Sequence, residues 1–271
     1  MLSQHGGKVI VIGMPKTVDN DVFPIQQTFG AHTAACTGAR FFENVVNECT
    51  ANPRMLILHE CMGRDSGYLT AATAAQYREI LHKQTFMAES SGFPYSNQAA
   101  RDIHAIWIPE LKLDLVAESE RLHRIMDQTG CVNVFFGEGT GVQEIIADME
   151  GRGETVARDA FGHVSLNKIN PGEYFSQHLA KAIGAEKTLV QKSGYFARAA
   201  AANEFDRDLI DRCAAQGVAS AIEGISGCMG QDEDKEGHPI RAIEFHRVKG
   251  GKAFDISQSW FQKMLKEIGQ I

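Results

Sequence analysis

No two of the six cysteines are spaced C-x-x-C, and none falls near a cluster of histidines. That excludes a recognisable zinc ligand set and argues against a disulfide framework, so Cys36, Cys49, Cys61, Cys131, Cys213 and Cys228 read as reduced thiols of a cytoplasmic protein. Long apolar runs are missing too. The stretch at residues 9–14 is six residues long and is interrupted by Gly13, too short for a signal peptide or a spanning helix. There is no basic block interleaved with aromatics, and 27 Lys+Arg against 34 Asp+Glu leave a net charge of −7. Nucleic acid and anionic membrane surfaces are therefore not expected partners, and an anionic substrate would need a local basic pocket.

What is present is an ordinary globular composition, 44% hydrophobic and 23% charged over 271 residues, enough for one large domain or two small ones. Short β-rich runs at residues 8–13, 54–58, 103–108, 131–136 and 188–191 alternate with helical patterns at 28–49, 67–82, 114–128, 142–149, 172–183 and 206–216. Such alternation is the signature of a parallel α/β sheet. Residues 226–239, with Cys228-Met229-Gly230 and an acidic cluster, read as a loop or a loose hairpin connection.

Four constellations follow strand ends, where parallel sheets bind ligands. The first is Met14-Pro15-Lys16-Thr17-Val18-Asp19-Asn20-Asp21, with a phosphate-neutralising lysine and two carboxylates able to divide proton transfer and cation binding. A surface Asx-turn is the plainer reading of D-N-D alone. The second is Met62-Gly63-Arg64, in which the glycine admits close backbone approach and the arginine offers a fork for phosphate or sugar oxygens. The third is Gly137-Glu138-Gly139-Thr140-Gly141; residue 142 is valine, so the dinucleotide fingerprint G-x-G-x-x-G fails on spacing. The fourth runs from Lys192 to Arg198 and includes Tyr195, a phenol and a guanidinium on one short segment. His163 has no carboxylate partner at a telling spacing and reads as structural.

Together these motifs resemble, in order, the P-K-T-[IV]-D-N-D, M-G-R and G-[YH]-x-x-R elements of the phosphofructokinases, with the lysine after proline typical of the pyrophosphate-using branch. The resemblance implies a three-layer α/β sandwich with two domains sharing a cleft. Residues 1–30 and 195–245 would belong to the phosphoryl-donor domain, and residues 31–194 and 246–271 to the fructose 6-phosphate domain. It implies Asp19 as the base for the sugar 1-hydroxyl, Asp21 beside Mg2+, and Lys16 at the pyrophosphate. Thr17, Met62, Gly63, Arg64, Glu138, Lys192, Tyr195 and Arg198 would lie around the sugar phosphate. A glycolytic homo-oligomer is implied as well, because such sites borrow arginines from a neighbour, and Arg54 is a weaker candidate for that loan. The glycine-rich donor segments of the family do not precede Lys8, so low activity is expected of this chain alone. A sugar-phosphate-binding remnant or an oligomer partner of a complete enzyme is the alternative.

Overall fold

The computed structural model describes residues 9–86, 97–153, 155–156 and 169–271. Its centre is a parallel sheet in the order β4-β5-β3-β6, formed by Ala105–Trp107 (β4), Cys131–Gly137 (β5), Met55–Cys61 (β3) and Lys187–Lys192 (β6). Every residue of β3 and β5 is buried. Parallel strands covered on both faces need continuous apolar runs, which is how residues 54–58 and 131–136 read. Alternation along β3 then sends Met55 and Ile57 into one core and Leu56 and Leu58 into another.

The first core is closed by α1 (Ala31–Val45), α2 (Tyr68–His82) and α9 (Ser259–Glu267), through Phe42, Tyr77, Phe261 and Leu265. The second is closed by α4 (Leu115–Thr129), α5 (Val142–Gly151) and α6 (Pro171–Ala182), through Leu122, Met126, Ile145, Phe175 and Leu179. Helices thus cover both faces of the sheet, as the three-layer expectation requires. No described helix is long and apolar enough to cross a membrane.

A second, three-stranded sheet joins β1 (Ile12–Gly13), β7 (Gly227–Gln231) and β8 (Ile240–Ile243) and is backed by α8 (Glu204–Ile222). Here three expectations need correction. The opening strand is only two residues long, because its partner β7 begins at Gly227, opposite Ile12; residue 8 lies outside the described residues. Residues 227–231 are a strand, paired antiparallel with β8. Its run Gly-Cys-Met-Gly carries no β-branched or aromatic side chain and so gives no strand signal. The first helix starts at Ala31, not at residue 28, because Gly30 adopts a left-handed conformation and Thr28 is bonded back into the preceding loop. The remaining connections are α3 (Gln98–Arg101) and α7 (Gly194–Arg198), together with a β2–β9 pair (Val22–Phe23, Lys249–Gly250).

The core encloses two buried neutral histidines. His59 is fully buried among Phe41, Phe42 and Phe135 with no hydrogen-bond partner, and burial holds its imidazole down at about 3. His104 is satisfied by Ala99 O and the Asn133 amide, and burial lowers it to about 4. The unfolded chain protonates both below about pH 6.5, whereas the folded chain does so only at those lower values. Stability is therefore full above pH 6.5 and falls with acidification, by up to about 1.4 kcal/mol per pH unit for each histidine. Replacing His59 with Leu should remove one proton from the slope of unfolding free energy against pH between about 6 and 4.5 in urea titrations; an unchanged slope would contradict the neutral assignment.

Candidate active site

Strand register gathers the motifs. Cys61 of β3 pairs with Gly137 of β5, and Glu60 pairs with Lys192 of β6, so the three strands finish at one level. Met62-Gly63-Arg64, Glu138 and the helix α7 emerge there side by side. Gly63 has a φ of 116°, and its amide donates to Glu138 Oε1 at 3.4 Å. A Cβ on Gly139 would lie 1.7 Å from the Arg64 carbonyl oxygen, so the two loops touch through bare backbone. Met62 lies against Gly194, where a Cβ would meet its Cγ at 3.0 Å.

The loop after β1 crosses to this rim. Phe29 N donates to Pro15 O, closing the loop on itself beside exposed Lys16, and Asp19 N donates to Thr17 Oγ1 at 3.2 Å. Asp19 is the electrostatic centre of the cluster. Burial raises its carboxyl to about 6, helped by Asp21, Glu138 and Asp65 and opposed by Arg198. Its Oδ1 is buried without a hydrogen-bond partner. Asp19, Asp21, Glu138 and Arg198, which come from three separate segments, therefore share one electrostatic neighbourhood, and Asp65 belongs to it as well.

Tyr195 is 80% exposed and Arg198 is exposed on the same short helix, both open to a ligand. Lys192 stands apart: its Nζ lies 2.9 Å from Glu60 Oε2 and 3.2 Å from Asn170 Oδ1, an ion pair within the chain. Arg54 lies elsewhere. It precedes the amino end of β3, opposite the site, where it pairs with Asp127 and donates to Ile183 O and Gly184 O. His163 lies outside the described residues. Sequence reasoning missed Asn20 and Thr28, joined by the Thr28 amide donating to Asn20 Oδ1. The available signal was an asparagine inside a loop, since asparagine tolerates left-handed backbone. A cavity of about 810 Å3 lined by Asn20, Gln27, His32, Tyr68, Phe254 and Trp260 includes none of the ligand candidates.

Among the described residues no group of three or more His, Cys, Asp or Glu forms a metal cage. The Asp21 carboxylate nevertheless suits Mg2+, which keeps most of its waters and takes one or two carboxylates alongside phosphate oxygens.

Residues 1–221 match the family described as phosphofructokinase, and the chain belongs to that family. It is 53% identical over 269 residues to a pyrophosphate–fructose 6-phosphate 1-phosphotransferase of Methylomonas methanica and 49% identical to one of Mastigamoeba balamuthi. In both cases 99% of this chain is covered, and it spans 64% of the relative's length. A pyrophosphate-dependent phosphofructokinase structure from Marinobacter aquaeolei matches with a TM-score of 0.54 at 19% identity, covering 98% of this chain and 62% of that one, and shares the fold.

Because Asp19 has a higher proton affinity folded than unfolded, its contribution to stability is fully present below pH 3.8 and is lost as pH rises through about 6. Asp19→Asn should therefore raise the melting temperature at pH 8 in a chelating buffer and leave it nearly unchanged at pH 4, where the acid is already neutral. Equal shifts at both pH values would place Asp19 in an ordinary solvated site.

Proposed function

We propose that this chain provides the sugar-binding and proton-accepting part of a pyrophosphate:fructose 6-phosphate phosphotransferase. The observation that carries the reading is Asp19: a carboxylate held near 6, with one buried and unpartnered oxygen, on a rim shared with Glu138 and Arg198. A base poised near neutral pH is matched to accepting a hydroxyl proton. The names of the 53% and 49% identical relatives support the choice of substrates.

In this reading Arg64 and Glu138 face the sugar hydroxyls, with Thr17, Met62 and Gly63 shaping the pocket. Arg198 and Tyr195 hold the 6-phosphate, and Lys192 adds positive charge once it leaves Glu60. Asp19 takes the proton of the 1-hydroxyl as that oxygen attacks phosphorus, the bridging P–O bond of pyrophosphate breaks, and orthophosphate leaves with the electron pair. Lys16 neutralises the donor, which in an ATP-using relative would need room for a nucleotide at that place. Asp21 would hold Mg2+, which when bound would supply positive charge beside the phosphoryl group. We assign residues 1–30 and 195–245 to the donor lobe and place the reaction in cytoplasmic glycolysis. Exposed Tyr195 and Phe196 beside the site support a homo-oligomer.

Arg198→Ala should weaken fructose 6-phosphate binding by about 1.5–3 kcal/mol, the value of a charge-assisted contact, in isothermal titration. Equal affinity in the two proteins would remove the sugar phosphate from this rim. In a coupled assay with pyrophosphate, Asp19→Asn should cut kcat by about 10²–10⁴ while sugar affinity holds. Lys16→Gly should raise the KM for pyrophosphate more than that for the sugar. Sugar binding without any turnover in the unmodified chain would favour the remnant reading instead.

A further inference from the structure

Asn20 occupies a left-handed conformation. It is 5% exposed and has a φ of 52°, a region that asparagine enters more readily than other non-glycine residues but still at some cost, and here its surroundings hold it there. Its side chain accounts for the hold. Oδ1 accepts from Thr28 N at 2.8 Å, and Nδ2 donates to Gln26 O at 3.1 Å. Thr28, itself fully buried, has one hydroxyl proton, and the shorter of its two contacts sends that proton to Thr17 O at 2.8 Å, against 3.1 Å to Asn20 Oδ1. Thr17 in turn receives the Asp19 amide on its own hydroxyl. The residues on both sides of Val18-Asp19, Thr17 through its carbonyl and Asn20 through its side chain, are therefore tied to a single buried threonine.

We infer that Asn20 and Thr28 form a latch whose task is to position Asp19, keeping its carboxylate in the one orientation that leaves Oδ1 buried and unpartnered among Asp21, Glu138 and Arg198 instead of letting it turn to solvent or to a nearby donor. The inference deepens the reading of Asp19 as the base and rests on it. A buried carboxylate oxygen without a donor costs free energy, and so does a left-handed asparagine. A loop of this length, free to move, would relieve both at once. The latch prevents that relaxation, and because Thr28 stands two residues before Gly30, where α1 is capped, it anchors the loop to a rigid element.

The test reads the Asp19 side chain directly, through the three-bond couplings that report its χ1 angle in the isotope-labelled full chain at pH 7.5. The unmodified chain and Thr28→Ser, which retains the hydroxyl and the amide, should show one staggered rotamer. Asn20→Gly, which accepts the backbone angle but has no side chain, and Thr28→Val, which keeps the shape but lacks the hydroxyl, should both show couplings averaged over rotamers. Couplings still fixed at the unmodified values in both variants would overturn the assignment. So would loss of cooperative folding in both, since the pair would then be holding the core. No sugar, pyrophosphate or magnesium enters the measurement, so the phosphotransferase reading and the latch can fail separately.

Discussion

The carboxylate of Asp206 holds the two sheets in register with each other. The first amides of a helix have no partner within it, and the residue before the helix usually supplies one. Gly30, at the start of α1, has no side chain to do so. Asp206, fully buried on α8, fills the role from a distant part of the chain by accepting from Gly30 N, Thr33 N and Thr33 Oγ1. Asn203 closes the joint, accepting the Asp206 amide and giving its own amide to Thr33. α1 packs on the large sheet and α8 on the small one, so one charged group fixes where the small sheet sits. The position of Asp19 follows from it, because Asp19 lies on the loop that leaves the small sheet, whereas Glu138 and the short helix carrying Arg198 come after β5 and β6 of the large one.

The site is consequently assembled at a seam, and its electrostatics reflect that origin. Three acidic groups, Asp21, Glu138 and Asp65, are brought near Asp19 with Arg198 as the counterweight. An arrangement selected for stability alone would pair these charges more evenly, as the chain does elsewhere. Asp232 is fully buried and yet shared by Arg241 and Arg247, which hold it well below the usual carboxylate range. The contrast between a saturated and an unsaturated acidic cluster in one chain is the physical reason to look for chemistry at the second.

Much of this was legible in the residues. The buried strands β3 and β5 announced themselves as apolar runs, α4 by its helical pattern over residues 114–128, and the ligand motifs by their position after strand ends. What escaped depended on contacts between distant segments. β7 carries glycines because its neighbours press close, with Ile25 packed on Gly230 and the Ile243 backbone on Gly227. Lys192 reads as a free cation in sequence, and only strand register shows that Glu60 stands beside it. The Asn20 latch is local, spanning eight residues, but nothing in a D-N-D triplet states where its amide will point.

Five of the six thiols are buried, and burial holds those of Cys61 and Cys213 up at about 12 and about 11. Cys36 is the exception: half-exposed on α1, one turn from His32 and beside Gln76. Its own thiol is also held up, which slows reaction with alkylating reagents but does not hide it. A thiol-reactive fluorophore should therefore find a single address on the unmodified protein, close to the joint where Asp206 meets α1. The molecule comes with its own reporter for whether that joint shifts as the cleft fills.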